Sequence, residues 1–297
     1  MSSVPSYGSW LPPVADPPED PFGRDTGGGA GREAPGWPAW TAWVALVVAF
    51  AFAIMGAIVV GVVGAIFGAS FEDPPPAVNI AATVVQDGAF IAAALVFAGR
   101  AGRVVPAQFG FVRTRIAPAI GWMALAYVSY IALGALWAAL VDTDAKDTLP
   151  DSLGADESTA ALVAVCVIVT VLAPIAEETF FRGYFFGALR NWRGPWPAAL
   201  LTGAVFGGIH VGSADAVFLV PLAVLGVMLC IVRWRTGSLL PCIALHAINN
   251  ALAFGIAEDW TGGQTLLLVA GAVGVTMLAC WVLLGPAEGA SDARTLV

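Results

Sequence analysis

Charge is what this 297-residue chain has least of. Only 11% of its residues are Asp, Glu, Lys or Arg, against roughly 25% in an average soluble domain. Lysine is nearly absent, since Lys146 stands beside twelve arginines, and there are two histidines, His210 and His246. The four cysteines, Cys166, Cys230, Cys242 and Cys280, lie within apolar runs without the short spacings of a zinc site or a secreted disulfide framework, so they read as small packing residues. No basic segment followed by an apolar h-region opens the chain, and the C-terminal Arg-Thr-Leu-Val carries no lipidation signal, so neither a cleavable signal peptide nor a lipid anchor is expected. Neither Gly-x-Ser-x-Gly nor His-Glu-x-x-His occurs, so nothing recommends a serine nucleophile and the usual zinc-protease helix is missing. A net charge of -8, mostly in tails and loops, gives no support for nucleic-acid binding.

What fills the chain is hydrocarbon: 59% of residues are hydrophobic, with a mean hydropathy of +0.83. This composition predicts an all-α polytopic membrane protein of about eight transmembrane helices. Residues 1 to 38, dense in Pro and Gly, read as a disordered cytoplasmic tail. Residues 39–114 supply two spans and a basic loop, 115–285 the remaining membrane core, and 286–297 a second tail. The spans run from Trp40 to Phe67, Val78 to Ala98, Ala117 to Val141, Ala160 to the arginines at 182, 190 and 193, Gly194-Pro195 to His210, Ala216 to Val232, Leu239 to Ala257 and Leu266 to Leu284. Trp37, Trp40 and Trp43 are expected at headgroup level. Arginines gather in every second loop, including Arg100, Arg103, Arg113 and Arg115, while the 142–157 loop is acidic; this alternation places both termini in the cytoplasm. The Ala, Gly, Val and Arg bias suggests a bacterial cytoplasmic membrane.

Three polar positions interrupt the spans. Glu177, Glu178 and Arg182 lie on the fourth, His210 on the fifth, and His246 with Asn250 on the seventh. Ionisable groups in hydrocarbon cost at least a few kcal/mol each unless paired or hydrated, so they mark a functional site. Counted outward from Gly194-Pro195, Glu177 and His210 sit about 17 and 15 residues away, which at ~1.5 Å per residue makes them level. Glu178 and Arg182 are four apart and can pair, leaving Glu177 free; His246 and Asn250 share a face. A carboxylate with two imidazoles can deprotonate a water and stabilise an oxyanion. The same Glu177, His210 and His246 also suit one Zn²⁺ with an open position for water. Asp87, with Gln86 beside it in the second span, lies near the same depth and belongs to none of these motifs. Its nearest roles are a contact with Arg182 or a site histidine, or a bond between helices.

Glu177-Glu178-x-x-x-Arg182, Phe206-x-x-x-His210 and His246-x-x-x-Asn250, in that order on successive spans, resemble the motifs of the CAAX prenyl endopeptidase and bacteriocin-processing (CPBP, or Abi) family of intramembrane proteases. The likeness covers about residues 115 to 285. It implies an all-helical core around a cytosol-facing cavity, in which Glu177 and His210 activate a water while His246 and Asn250 hold the oxyanion, with Glu178 and Arg182 in support. The implied activity is a CAAX-type endopeptidase acting on a peptide or membrane-anchored protein in the bilayer. Members are commonly labelled metalloproteases, although the activated-water reading requires no metal. Two alternatives stand beside it: a catalytically silent scaffold or immunity protein of the same fold, and a proton- or cation-coupled transporter.

Overall fold

The computed structural model describes residues 36–141 and 149–284. The expected N-terminal tail up to residue 35, the 142–148 part of the acidic loop and the C-terminal tail from residue 285 lie outside the described residues. The fold is all-α. Helix α1 (Ala39–Ile66) and α2 (Pro76–Gly99) form a hairpin, followed by a short turn of helix α3 (Pro106–Phe109) and by α4 (Ile116–Val141). After α5 (Leu149–Ser152) comes one long composite rod: α6 (Thr159–Val167), a π-helical segment π1 (Ile168–Leu172), α7 (Ala173–Glu178), a second segment π2 (Thr179–Phe185) and α8 (Phe186–Arg193). The chain then turns at Gly194 into α9 (Pro195–Gly208), α10 (Ala216–Thr236), α11 (Leu240–Ala257) and α12 (Gly262–Trp281).

Among the described residues seven segments are long and apolar enough to cross a membrane: α1, α2, α4, the 35-residue rod Thr159–Arg193, α10, α11 and α12. The eighth expected span is α9, and it is shorter than anticipated. At 14 residues it reaches about 21 Å, less than the ~30 Å hydrocarbon core, because Gly207-Gly208 ends the helix just before His210. His210 therefore stands in the turn beyond a half-length helix, rather than on the wall of a full one.

Helix packing follows residue size. Along α1 the buried positions are Thr41, Ala42, Ala45, Ala49 and Ala53, a face of small residues turned inward, while Val47, Phe52, Ile54, Ile58 and other large side chains face outward. On α2 the buried face runs Asp87, Phe90, Ala94, Phe97. Helices α9 and α10 meet through Gly203, Gly207 and Gly226. A Cβ on Gly207 would stand 2.5 Å from the Leu219 carbonyl oxygen, and one on Gly203 2.7 Å from that of Ala223. Between the hairpin and the rod lies an aromatic core, in which Phe90 contacts Phe180 and Phe181 at centroid distances of 5.2 and 5.7 Å.

At the arginine-bearing end, the loop after α2 is tied to the α10–α11 turn. Leu239 N–H donates to the Gly110 carbonyl (2.7 Å) and Ser238 Oγ–H to that of Val112 (2.7 Å). Gly110 adopts φ +97°, and any side chain there would strike the Arg233 guanidinium at 2.6 Å. Trp40 and Trp43 are exposed, as interface anchors would be, but Trp37 is not an anchor. It is buried against Phe109 and Tyr184, whose hydroxyl donates to Thr41 Oγ1. All four cysteines are free thiols, three of them buried.

Candidate active site

The rod positions the two glutamates through a break in its own hydrogen bonding. In π1 the Ala173 N–H reaches back five residues to the Ile168 carbonyl. The same five-residue step would assign the Val169 carbonyl to the nitrogen of residue 174, which is proline and has no N–H. That carbonyl instead accepts a hydrogen bond from Asn250 Nδ2 on α11, at 2.9 Å. Pro174 thus frees the acceptor that ties α11 to the rod about two turns ahead of Glu177. Asn250 Oδ1 accepts in turn from Asn249 Nδ2 at 3.3 Å. One N–H of the Asn250 amide is committed to Val169, leaving one for other work.

Glu178 is completely buried. Its Oε1 accepts from Arg182 Nη1 at 2.6 Å and from His246 Nδ1 at 2.8 Å. Arg182, also 0% exposed, gives Nη2 to the Gly226 carbonyl (3.2 Å) and lies 4.3 Å over the Phe206 ring. The expected pairing of Glu178 with Arg182 is present, and Glu178 is in addition the acceptor that orients His246. An ionised carboxylate only accepts, so the Nδ1 of His246 carries hydrogen. Its Nε2 is 3.8 Å from Glu177 Oε2. Glu177 is 12% exposed, and its Oε2 is buried without a hydrogen-bond partner. An unsatisfied buried carboxylate oxygen is costly, so its retention points to a use beyond packing.

His210 belongs to the same cluster through Phe206. The two ring centroids are 5.1 Å apart, and the opposite histidine, His246, packs on Phe206 at 5.7 Å, both edge to face. The Nδ1 of His210 donates to the Phe206 carbonyl at 2.7 Å, which leaves Nε2 as the basic nitrogen of the ring. Phe206, Arg182 and both imidazoles are therefore one assembly. All six residues expected at the site, Glu177, Glu178, Arg182, His210, His246 and Asn250, come from the rod, the end of α9 and one face of α11. Among the described residues no group of three or more His, Cys, Asp or Glu side chains is arranged to hold a metal ion.

Four participants were not foreseen: the Phe206 ring as a support, the Val169 and Gly226 carbonyls, and the pair of π segments. The motif contained Phe206, but only as a spacing landmark. Asp87 is buried on α2, facing the rod, and makes no bond to Arg182; Gln86 is exposed and has no part in the site.

No solved structure matches this chain. It is 30% identical over 141 residues to a curated Escherichia coli protein described as an uncharacterized 24.3 kDa protein, an alignment covering 46% of this chain. The chain spans 62% of that relative's length. Residues 159–252, the stretch that holds Glu177, Glu178, Arg182, His210, His246 and Asn250, match the family model of the Rce1-like type II CAAX prenyl endopeptidases.

Proposed function

We propose that this protein is an intramembrane endopeptidase that hydrolyses a peptide bond with a water activated by Glu177 and His210. The observation that carries the reading is the unpartnered Glu177 Oε2, set 3.8 Å from an imidazole already oriented by the Glu178–Arg182 pair. The Rce1-like resemblance of the surrounding stretch supports it.

Ionised Glu177 accepts a proton from water while His210 Nε2 accepts that water's second hydrogen bond and fixes its lone pair toward the scissile carbonyl. The water oxygen bonds to the carbonyl carbon, and negative charge develops on the carbonyl oxygen. His246, doubly protonated and anchored through Nδ1 to Glu178, donates Nε2–H to that oxygen, and the uncommitted N–H of Asn250 is the second donor. Collapse of the intermediate breaks the C–N bond, and the proton held by Glu177 passes to the leaving amine. The carboxylate is restored. The substrate class consistent with this setting is a peptide segment beside a lipidated or membrane-embedded anchor.

The test compares wild type, Glu177→Ala and His210→Ala, reconstituted in lipid with a membrane-presented peptide library, with products read by mass spectrometry. General-base removal is expected to lower turnover by on the order of 10²–10⁴-fold with unchanged folding. Undiminished cleavage by Glu177→Ala refutes the assignment. Absence of cleavage by wild type across the library would favour the silent-scaffold alternative.

A further inference from the structure

We propose that the ends of α4, α9 and α10 form a binding site for the phosphate of an anionic membrane lipid, with the Arg235 guanidinium as its recognition group. The site does not rest on the role given to Glu177.

Arg235 lies near the end of α10, and its guanidinium stacks on two indoles. Its Cζ is 4.8 Å from the ring centroid of Trp122 on α4 and 4.4 Å from that of Trp234. Trp234 in turn meets Trp196 of α9 edge to face, at 5.6 Å. Three helices thus converge on one exposed cation. Stacking uses the faces of a guanidinium and leaves its edge, where all five N–H donors point. Among the described residues no hydrogen bond or ion pair takes those donors. A planar donor fork held in one orientation matches phosphate oxygens, which it binds in pairs.

The surroundings select both the sign of the ligand and its source. No Asp or Glu occurs from Arg100 to Val141, from Phe186 to Ala214 or from Ala216 to Ala257, the stretches that build this end of the protein. Beside Arg235, Thr114 Oγ1 donates to the Thr236 carbonyl at 3.1 Å, which brings the exposed Arg113 and Arg115 to the same end. Three arginines without a local carboxylate leave positive charge that a bound anion relieves. About one turn deeper in the membrane, Leu125 on α4 and Leu200 on α9 are 57% and 60% exposed. A soluble anion has nothing to cover these side chains, whereas the acyl chains below a lipid phosphate do. A lipid held there braces α9 and α10, the helices that carry Phe206 and Gly226 of the candidate site.

The experiment uses the full-length protein in a neutral detergent, as wild type, Arg235→Gln, Arg235→Lys, Trp122→Leu and Arg193→Gln, with thermal unfolding checking that each is folded. Each is titrated with phosphatidylglycerol and phosphatidylcholine, with and without inorganic phosphate, and bound lipid is read by native mass spectrometry. Wild type is expected to hold phosphatidylglycerol more tightly than phosphatidylcholine, and Arg235→Gln to weaken phosphatidylglycerol by on the order of tenfold. Arg235→Lys keeps the charge but not the fork, and Trp122→Leu removes a stacking face; each is expected to lose severalfold. Arg193→Gln removes the same charge from the same end, but that guanidinium stacks on its own neighbour Trp192 at 4.4 Å rather than across helices, so wild-type binding is expected. Unchanged affinity in Arg235→Gln, or an equal loss in Arg193→Gln, overturns the proposal. So does displacement of the lipid by inorganic phosphate at constant ionic strength, which would make this a site for a soluble anion.

Discussion

Replacing Asn250 by Ala separates two roles that the geometry gives it. Asn250 Nδ2 is the side-chain partner of the Val169 carbonyl, whose donor in the π1 step would be the nitrogen of Pro174. Removing the amide leaves a carbonyl inside the rod without its partner, which costs about 1–3 kcal/mol. The Asn249–Asn250 bond, at 3.3 Å and between partly buried side chains, adds a smaller amount. Pro174→Ala restores an N–H at the position five residues after Val169. In that background the backbone can close the turn itself, and Asn250→Ala is expected to cost no more than about 1 kcal/mol, the net value of an ordinary hydrogen bond. Equilibrium unfolding of the four proteins of this cycle, in one lipid or detergent system, measures the coupling directly. Cleavage assays on the same four samples report the second role. If the remaining N–H of Asn250 supports the oxyanion, the double variant regains stability yet remains on the order of 10²-fold slower. The reasoning fails if Asn250→Ala costs the same with and without Pro174, because the Val169 carbonyl would then not link the two residues.

A second cycle concerns Glu178 and Arg182, both wholly buried: Glu178→Gln or Arg182→Met alone is expected to destabilise by about 3–5 kcal/mol, by stranding a charge. The double variant should regain much of that stability without regaining activity, since His246 has then lost the carboxylate that orients it; chemical unfolding and peptide cleavage measure the two effects. Gly207→Ala places a methyl 2.5 Å from a backbone oxygen of α10 and is expected to cost about 1–3 kcal/mol and to slow cleavage through His210. Gly208→Ala, which meets nothing within 4 Å, is its control and should leave the unfolding curve near wild type. Beyond the end of α11, the Glu258 carboxyl is pushed up, first by burial and then by the carboxylates of Asp151 and Asp156. The folded state therefore holds this proton more tightly than the unfolded chain, so its contribution is present in acid and lost as pH rises above the ordinary carboxylate range. Glu258→Gln should flatten that decline, read as thermal midpoints across pH in detergent.

Much of the fold was legible because lipid imposes a single requirement on side chains: long runs without charge must be helices that satisfy their own backbone. The Glu178–Arg182 pair was legible from its four-residue spacing alone. The shortened α9 was written in Gly207-Gly208 but hidden by continued hydropathy up to His210. Trp37 was misplaced because position relative to a span says nothing about which side of the helix packs inward. The Asn250–Val169 bond was not readable, since it depends on where the rod changes from a four-residue to a five-residue step. Composition does not fix that register: Pro174 signals a disturbance, and only the coordinates show which carbonyl it releases. Nor could the burial of Asp87 be read, since which face of α2 turns inward is set by aromatic contacts with π2, far away in the chain.

What holds the two histidines at a working separation is an apolar ring. Arg182 lies 4.3 Å over Phe206, a contact worth roughly 0.5–2 kcal/mol, and the imidazoles pack edge to face on the same ring. A polar spacer would do the same positioning only by hydrogen-bonding to the imidazoles, and so would occupy the nitrogens that the chemistry needs. Phe206 leaves both Nε2 atoms uncommitted, while each Nδ1 is fixed by an acceptor outside the ring, the Phe206 carbonyl for His210 and Glu178 for His246. The glycines at 203, 207 and 226 are part of this device. The α9–α10 approach that brings Phe206 over Arg182 has no room for larger residues, since a Cβ on Gly226 would meet Phe206 Cβ at 3.1 Å and Gly203 Cα at 2.8 Å. The polar chemistry of the site thus depends on the smallest side chains around it, because they set how closely an aromatic wall can stand between two imidazoles.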